Sequence, residues 1–182
     1  RASDILVALD LGRELGVKLV LTGATEGWVV ADQIAAAGVP VVIDPMANLP
    51  ESFQELGATL ENAARLNAAG VTVAFATFDA HNSRNLKQAA GNAVAYGMPW
   101  EAALRAVTIN PARIWGVDGQ YGTIEAGKDA DLVVWSGDPF EFSTTVDHVF
   151  IRGREIPKDH RQRELFERYR TVGGAIPEAY TH

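Results

Sequence analysis

Two kinds of segment alternate along the first half of the chain, and this alternation restricts the possible folds more than any other feature of the sequence. Apolar residues recur at helical spacing in four segments, residues 4–16, 25–37, 52–69 and 85–96. Short apolar runs typical of buried strands lie between them, at residues 17–21, 39–43 and 71–78. Helices that alternate with apolar strands indicate βαβ units around a parallel sheet, so the predicted fold class is α/β.

The last part of the chain follows a different plan. Apolar residues at helical spacing predict a helix that begins near Trp100. Asn110 followed by Pro111 predicts the N-cap and first residue of a short second helix. Glycines that favour turns then lead to two predicted strands, residues 132–135 and 149–156.

The motifs TINPARIWGV, GTIEAGKDADLVVW and VFIRGREI follow one another in this region. This ordered series resembles the metal-dependent amidohydrolase superfamily, particularly the branch that contains imidazolonepropionase and Xaa-Pro dipeptidase relatives. The resemblance extends to about Ile156 and implies the C-terminal half of a TIM-like (β/α)8 barrel, followed by strands of a small β-sandwich domain. A complete barrel needs about 250 residues, and in the relatives a sequence similar to RASDI directly follows a metal-ligand histidine on the fifth strand. The earlier strands are therefore expected to lie before Arg1.

Three parts are expected along the chain. Residues 1–118 would form the partial βα barrel, residues 119–156 the strands of the β-domain, and residues 157–182 a C-terminal amphipathic helix and tail. Because a half barrel leaves strand edges unpaired, the chain is expected either to need its missing N-terminal half or to form a homo-oligomer.

The composition favours a small-molecule substrate as the partner. Sixteen basic and twenty-three acidic residues give a net charge of −7 without a cationic run, which argues against a nucleic-acid surface. No apolar stretch approaches the roughly 20 residues of a membrane span, and the absence of cysteine excludes thiolate ligands and thiol nucleophiles. The amino end lacks the pattern of a signal peptide, which favours the cytoplasm, although a leader could precede Arg1.

Asp79 is the strongest candidate for a catalytic residue. It directly follows the apolar run at residues 71–78, and the C-terminal ends of barrel strands line the active-site mouth. The resemblance implies that an aspartate at the end of the last barrel strand ligates a divalent metal, with zinc as the expected ion, and acts as general base. Zinc lowers the pKa of bound water to about 7, and a nearby carboxylate then completes hydroxide formation. The alternative is that Asp79 only caps the following turn or helix.

The loop after Asp79, AHNSRN, supplies two candidates for substrate binding. His81 could ligate a metal or position a substrate carbonyl, and Arg84 could hold a substrate carboxylate in bidentate geometry. Both residues could instead be solvated, since Ser83 or Asn85 could cap the helix that follows.

The sequence departs from the family pattern at the first predicted strand, whose end carries a histidine in relatives with a two-histidine metal arrangement. Thr22 and Gly23 occupy this position here, and neither can replace an imidazole ligand. Glu26 could substitute with a carboxylate, but an acidic residue in the first turn of a helix is also explained by the helix dipole.

The remaining polar candidates are weaker. Asp44, Pro45 and Asn48 follow the second predicted strand and could line a substrate pocket or simply form its loop. The other histidines, His148, His160 and His182, lie far along the chain from the barrel mouth, and turn chemistry explains Asp129 and Asp131.

Two functions are therefore carried forward. The first is part of an amidohydrolase-like metallohydrolase that cleaves a C–N bond, in a cyclic amide or a peptide-like substrate, with metal-activated water. The second is a metal-deficient, barrel-derived binding or assembly protein, or an inactive fragment, which the missing histidine near Thr22 favours. For these 182 residues alone, little or no activity is expected.

Overall fold

A parallel sheet of three short strands lies at the centre of the first part of the chain. The structure is a computed structural model that describes residues 1–47, 50, 52–157, 159 and 161–170. The strands are β1 (Leu21–Thr22), β2 (Val41–Ile43) and β3 (Val73–Phe75), hydrogen-bonded in the order β1-β2-β3. β2 and β3 are buried along their whole length, as expected for a parallel sheet that is covered on both faces.

Helices connect and cover these strands. They are α1 (Ala2–Leu15), α2 (Ala31–Ala37), α3 (Asn62–Ala68), α4 (Leu86–Ala95), α5 (Trp100–Val107) and α6 (Ile109–Ile114). A short 3₁₀ helix follows each strand, at Gly27–Val30, Phe53–Glu55 and Ala80–Asn85. The core between helices and sheet is built on fully buried aliphatic side chains, of which the largest are Ile34, Ile43, Leu66, Val41 and Val73. The prediction of a mixed α/β fold with a parallel sheet is confirmed.

Several elements are shorter than their sequence patterns predicted. The apolar run at residues 17–21 pairs with β2 only from Leu21, and the run at residues 71–78 forms a ladder only at Val73–Phe75. The helix predicted over residues 52–69 is wrong in its first half, where a 3₁₀ turn and a loop precede α3. Phe53 and Leu56, which continued the apolar spacing, are exposed.

Asn110 has a different role from the predicted one. α6 begins at Ile109, one residue before Asn110, so the prediction that Asn110 is the N-cap was wrong. The side-chain Nδ2 of Asn110 instead donates a hydrogen bond to the carbonyl oxygen of Val73, at 2.8 Å. Because Val41 pairs with the residues on either side of Val73, this carbonyl lies on the edge of β3 that faces away from β2. Asn110 therefore ties α6 to that edge.

A second sheet, with antiparallel pairing, follows the helices. It contains β4 (Leu132–Trp135), β5 (Val146–Ile151) and β6 (Arg154–Glu155) in that order. The single strand predicted over residues 149–156 is a hairpin, because Arg152 and Gly153 both have positive φ, 49° and 74°, and reverse the chain. The Asp131 carboxylate accepts a hydrogen bond from the Arg152 backbone N–H at 2.7 Å, so Asp131 supports the hairpin turn between β5 and β6.

The loop between β4 and β5 packs against α4 and α5. The Trp100 ring lies 5.3 Å from the Phe140 ring, centroid to centroid, and its Nε1 donates to the Asp138 carboxylate at 2.9 Å. Lys87 Nζ donates to the backbone carbonyl oxygen of Thr144 at 2.9 Å and to that of Glu141 at 3.2 Å. These contacts fix the antiparallel sheet to the helices that follow β3.

The charged segment predicted to be helical contains α7 (Arg161–Tyr169), although its first residues, Lys158 and His160, lie outside the described residues. Phe166 and Tyr169 on α7 are exposed. The tail predicted to follow this helix lies outside the described residues from position 171 onward. Within the described ranges, none of the helices combines the length and the apolar character needed to cross a bilayer.

Candidate functional site

Asp79 lies four residues beyond the carboxyl end of β3, at the entrance to the 3₁₀ helix Ala80–Asn85. Its side chain is exposed, and its Oδ2 accepts a long hydrogen bond of 3.4 Å from Asn82 Nδ2. The backbone carbonyl oxygen of Asp79 accepts from the Thr77 hydroxyl at 3.1 Å and from the Asn82 N–H at 3.0 Å. The backbone of Asp79 is thus well fixed, while most of its carboxylate remains open to solvent or ligand.

Phe78, directly before Asp79, has an unusual backbone conformation. Its φ is +53°, in the left-handed region that costs a non-glycine residue about 1–2 kcal/mol, and its side chain is 58% exposed. Strain of this kind is concentrated at functional sites. The sequence pattern did not reveal this residue, because Phe78 read as the last member of an apolar strand.

An open hollow adjoins Asp79. It has a volume of about 360 Å³ and is lined by Phe75, Ala76, Thr77, Phe78, Asp79, Ala80, Ser83 and Leu86. Ala80, Ser83 and Leu86 are spaced by three residues, so they share one side of the 3₁₀ helix and its continuation into α4. Asp79 is the one charged residue in this lining.

His81 and Arg84 lie on the same 3₁₀ helix, and both are exposed. They are also spaced by three residues, which brings them to a common side of the helix, about a third of a turn from the side that lines the hollow. Neither residue lines the hollow. The fold therefore brings His81 and Arg84 together but does not bring them into the hollow with Asp79, and their predicted contacts with substrate stay predictions.

The loop after β1 is held by a buried asparagine. Asn62 Oδ1 accepts from the Trp28 backbone N–H, and Asn62 Nδ2 donates to the Ala24 carbonyl oxygen, both at 3.0 Å. Gly23 and Ala24 have positive φ, 78° and 42°, so the chain turns sharply immediately after Thr22. Asn62 was missed because it lies within an apolar helical pattern; its polarity at a core-facing position was the available signal.

Glu26 follows β1 in this loop and makes a contact that the sequence did not predict. Its carboxylate Oε2 accepts a hydrogen bond from the Ala2 backbone N–H, at 2.9 Å. A negative charge at this position interacts favourably with the amino-terminal end of α1. Glu26, which directly precedes the 3₁₀ helix Gly27–Val30, therefore also stabilises the start of α1.

The loop after β2 contains Asp44, which forms a local turn. Its Oδ1 accepts from the Met46 backbone N–H at 2.8 Å, a loop-forming role. Asn48, the other polar candidate in this loop, lies outside the described residues. Residues of this loop and of the loop after β1 enclose only about 10 Å³ of space, too little for a substrate.

His148, on β5, and Asp129, just before β4, both have structural contacts. His148 Nδ1 lies 2.5 Å from the Glu155 carboxylate on the same sheet, and the Asp129 carboxylate lies 3.6 Å from Arg152 Nε. His160 and His182 lie outside the described residues.

The described residues do not fit a metal centre by themselves. Among them, no group of three or more histidine, aspartate or glutamate side chains is arranged to hold a metal ion, whereas a catalytic zinc site uses about three protein ligands. Asp79 offers a carboxylate at the correct edge of the sheet, and Thr22 offers no imidazole. A metal bound at Asp79 would need most of its ligands from outside the part of the chain that the structure describes.

Comparison with known proteins agrees with this architecture. Residues 4–156 match the model of the amidohydrolase family. The crystal structure of an amidohydrolase from Thermotoga maritima superposes with a TM-score of 0.80 at 36% identity, over 86% of this chain and 41% of that chain.

Two curated relatives are similar over shorter stretches. Imidazolonepropionase from Maricaulis maris is 38% identical over 93 residues, which is 48% of this chain and 23% of the relative. The 5-methylthioadenosine/S-adenosylhomocysteine deaminase from Moorella thermoacetica is 34% identical over 100 residues, 49% of this chain and 23% of the relative. The chain thus spans less than half the length of these relatives, and the relatives act on different substrates.

The parallel sheet, the position of Asp79 after its last strand and the antiparallel sheet all lie within the matched region. The match covers well over half of the sequence. The chain belongs to the amidohydrolase family.

Proposed function

We propose that these 182 residues are the C-terminal part of an amidohydrolase-like hydrolase that cleaves a C–N bond in a cyclic amide or a peptide-like substrate. In this proposal Asp79 is the catalytic residue and takes a proton from the attacking water. The observation that carries the proposal is the exposed Asp79 carboxylate, which follows the last parallel strand and has only one long hydrogen bond in the described structure. An unpaired carboxylate at this edge is placed to act as a base.

The same proposal makes β1, β2 and β3 the last strands of a closed (β/α)8 barrel, with the antiparallel sheet as part of a small β-sandwich domain. The described strands form an open sheet, in which β1 and β3 are the edge strands. Asn110 already occupies part of the β3 edge. We infer that the edge of β1 pairs with a preceding part of the protein or, failing that, with another copy of this chain.

A divalent metal, with zinc as the first candidate, belongs to this proposal through the family resemblance. Asp79 would supply one ligand, and the remaining ligands would come from outside the described residues. His81 and Arg84 are proposed as substrate-binding residues that reach the substrate from the side of the 3₁₀ helix. Their exposed side chains leave the imidazole and the guanidinium accessible to a small anionic or carbonyl group.

A second function is favoured by one specific observation. Thr22 occupies the end of β1, where the family resemblance implies a metal-binding imidazole, and no cluster of three metal-binding side chains occurs in the described ranges. A barrel-derived protein that has lost its metal could bind ligands or assemble without catalysis.

The test compares Asp79→Asn with Asp10→Asn in the protein expressed from its whole reading frame. Asp10 is an exposed carboxylate on the surface of α1 that pairs with Arg13. Both substitutions remove one negative charge, so they change the net charge of the protein equally. If Asp79 is the base, Asp79→Asn should lower kcat/KM for N-acyl amino acids, dipeptides or cyclic amides by about 100-fold or more, while Asp10→Asn should leave it unchanged.

Metal content and molar mass are measured on the same samples. Metal at a fixed stoichiometry that Asp79→Asn reduces would support the hydrolase. The absence of both metal and amide hydrolysis from the wild-type protein would favour the second function. Hydrolysis that persists in Asp79→Asn would refute the role of Asp79, and a cooperatively folded monomer of 182 residues alone would refute the need for a partner at β1.

A further inference from the structure

The hollow beside Asp79 has walls that are mainly apolar. Phe75, Ala76, Phe78, Ala80 and Leu86 supply most of its lining. Its volume of about 360 Å³ is near the lower end of the range of small-molecule pockets, roughly 300–1,000 Å³. The space therefore suits a single side chain or a small ring.

The hydroxyl groups in the lining are already engaged. Thr77 Oγ1 donates to the Asp79 carbonyl oxygen at 3.1 Å, and Ser83 Oγ donates to the Ala80 carbonyl oxygen at 2.8 Å. Their protons are thus committed to backbone carbonyls, and the Asp79 carboxylate is the one charged group at the rim. A polar group that binds against these walls would find few hydrogen-bond partners there.

Exposed apolar side chains also follow the neighbouring strand. Met46, Phe53 and Leu56 lie between β2 and α3, and all three are exposed. Because the carboxyl ends of parallel strands meet at one edge of the sheet, these side chains and Phe78 belong to loops at the same edge as Asp79. Exposed apolar side chains in the loops at this edge favour an apolar ligand there.

We propose that this hollow binds an aliphatic or aromatic group of the substrate next to its scissile C–N bond, with the Phe78 ring as the wall that selects it. This inference rests on the proposed function and names its substrate class as amides with an apolar substituent. Phe78 and Asp79 both line the hollow, so the apolar group and the reacting bond would be bound next to each other. Phe78 is thus a specificity-determining residue.

The test uses two probes of nearly equal shape, N-acetyl-L-leucinamide and N-acetyl-L-asparaginamide, with the protein expressed from its whole reading frame. Binding is measured by saturation-transfer NMR, which does not require hydrolysis. The wild-type protein should bind the leucine probe about 10-fold more tightly than the asparagine probe. Phe78→Gly should reduce this ratio to about 3-fold or less, since it removes the ring while keeping a residue that adopts the left-handed conformation readily.

Phe142→Gly is the matched control, because Phe142 is 85% exposed and lies in the loop between β4 and β5. It should leave the ratio unchanged. Asparagine also tolerates positive φ, so Phe78→Asn should reproduce the effect of Phe78→Gly. Agreement between the two variants shows that the effect does not come from a folding defect in one of them. Equal affinities in the wild-type protein, or a ratio that survives both Phe78 substitutions, would overturn the proposal.

Asp79→Asn separates this inference from the proposed function. It should lower kcat/KM by about 100-fold or more and leave the probe ratio intact. A Phe78-dependent ratio without any hydrolysis by the wild-type protein would support the hollow as a ligand site and count against the hydrolase. Hydrolysis without a Phe78-dependent ratio would support the hydrolase and overturn the role of Phe78.

Discussion

Gly91→Ala tests the packing of the second sheet against α4 more directly than any other single substitution. A Cβ atom added at Gly91 would lie 2.8 Å from the carbonyl oxygen of Phe140, closer than such atoms approach in folded proteins. The obstacle is backbone, so it cannot rotate away as a side chain could. The loop between β4 and β5 would therefore have to move away from the helix.

Two opposing contributions set the size of the effect. Alanine is the better helix former by about 0.5–1 kcal/mol, which would stabilise an unobstructed helix. Overpacking of a tight contact costs about 1–3 kcal/mol. We expect the contact to dominate, with a net loss of about 1–2 kcal/mol in the free energy of unfolding. For a chain of this size, that corresponds to a decrease in Tm of about 2–8 °C.

The assay is thermal and urea unfolding of Gly91→Ala beside Gly119→Ala. An added Cβ at Gly119 has no neighbour within 4 Å, and Gly119 does not have positive φ, so this control should be neutral or slightly stabilising. The indole N–H resonance of Trp100, which bonds to Asp138 in the same loop, should shift in Gly91→Ala only.

Lys87 provides a second test of the same contact between α4 and the loop. Lys87 Nζ holds the same loop through two backbone carbonyls. If Gly91→Ala displaces the loop, these two hydrogen bonds are already weakened before Lys87 is substituted. Lys87→Ala should then cost at least 0.5 kcal/mol less in the Gly91→Ala background than alone, in the range of about 0.5–3 kcal/mol seen for coupled residues. Equal stability of Gly91→Ala and the wild-type protein, or strict additivity with Lys87→Ala, would refute the steric argument.

Two further predictions concern other parts of the fold. Asn62→Ala removes both hydrogen bonds that hold the loop after β1, so it should lower the free energy of unfolding by about 1–3 kcal/mol in urea titrations. Asn67→Ala on the same helix should change the free energy of unfolding by less than about 0.5 kcal/mol. Equal effects of the two substitutions would exclude this role of Asn62. A side-chain hydrogen bond with Thr123, followed by the hydrogen bond and positive charge of Lys128, lowers the pKa of Glu125 below its usual 4.5. The contribution of the ionised Glu125 to stability should be present above pH 4.5 and be lost as the pH falls through the lowered pKa. The stability difference between Glu125→Gln and the wild-type protein should therefore disappear in acid. A difference that does not depend on pH would contradict this role of the Glu125 carboxylate.

The sequence predicts the order of elements well because helices and parallel strands leave strong periodic patterns. It predicts the lengths of the elements poorly where an apolar pattern continues beyond the residues that pair with a neighbouring strand or pack against the core. Residues 17–20 are as apolar as a strand, but no neighbouring strand pairs with them in the described structure. Phe53 and Leu56 fit a helical face, yet they are exposed, because the chain before α3 serves as a loop at the carboxyl edge of the sheet.

The site shows the same division between local and distant information. The position of Asp79 follows from the end of an apolar run, which is a local signal. The roles of Asn62, Glu26 and Asn110 depend on partners between 24 and 38 residues away, and no local pattern identifies such partners. The conformation of Phe78 was likewise hidden, since a bulky residue with positive φ violates the local preference on which sequence prediction depends.

The hydrogen bond between Glu26 and Ala2 determines where labels can be placed on this molecule. Glu26 lies four residues beyond the end of β1, as Asp79 lies four residues beyond the end of β3, so the start of α1 is held at the same edge of the sheet as Asp79. A dye or spin label at residue 2 would therefore report on ligand binding at that edge.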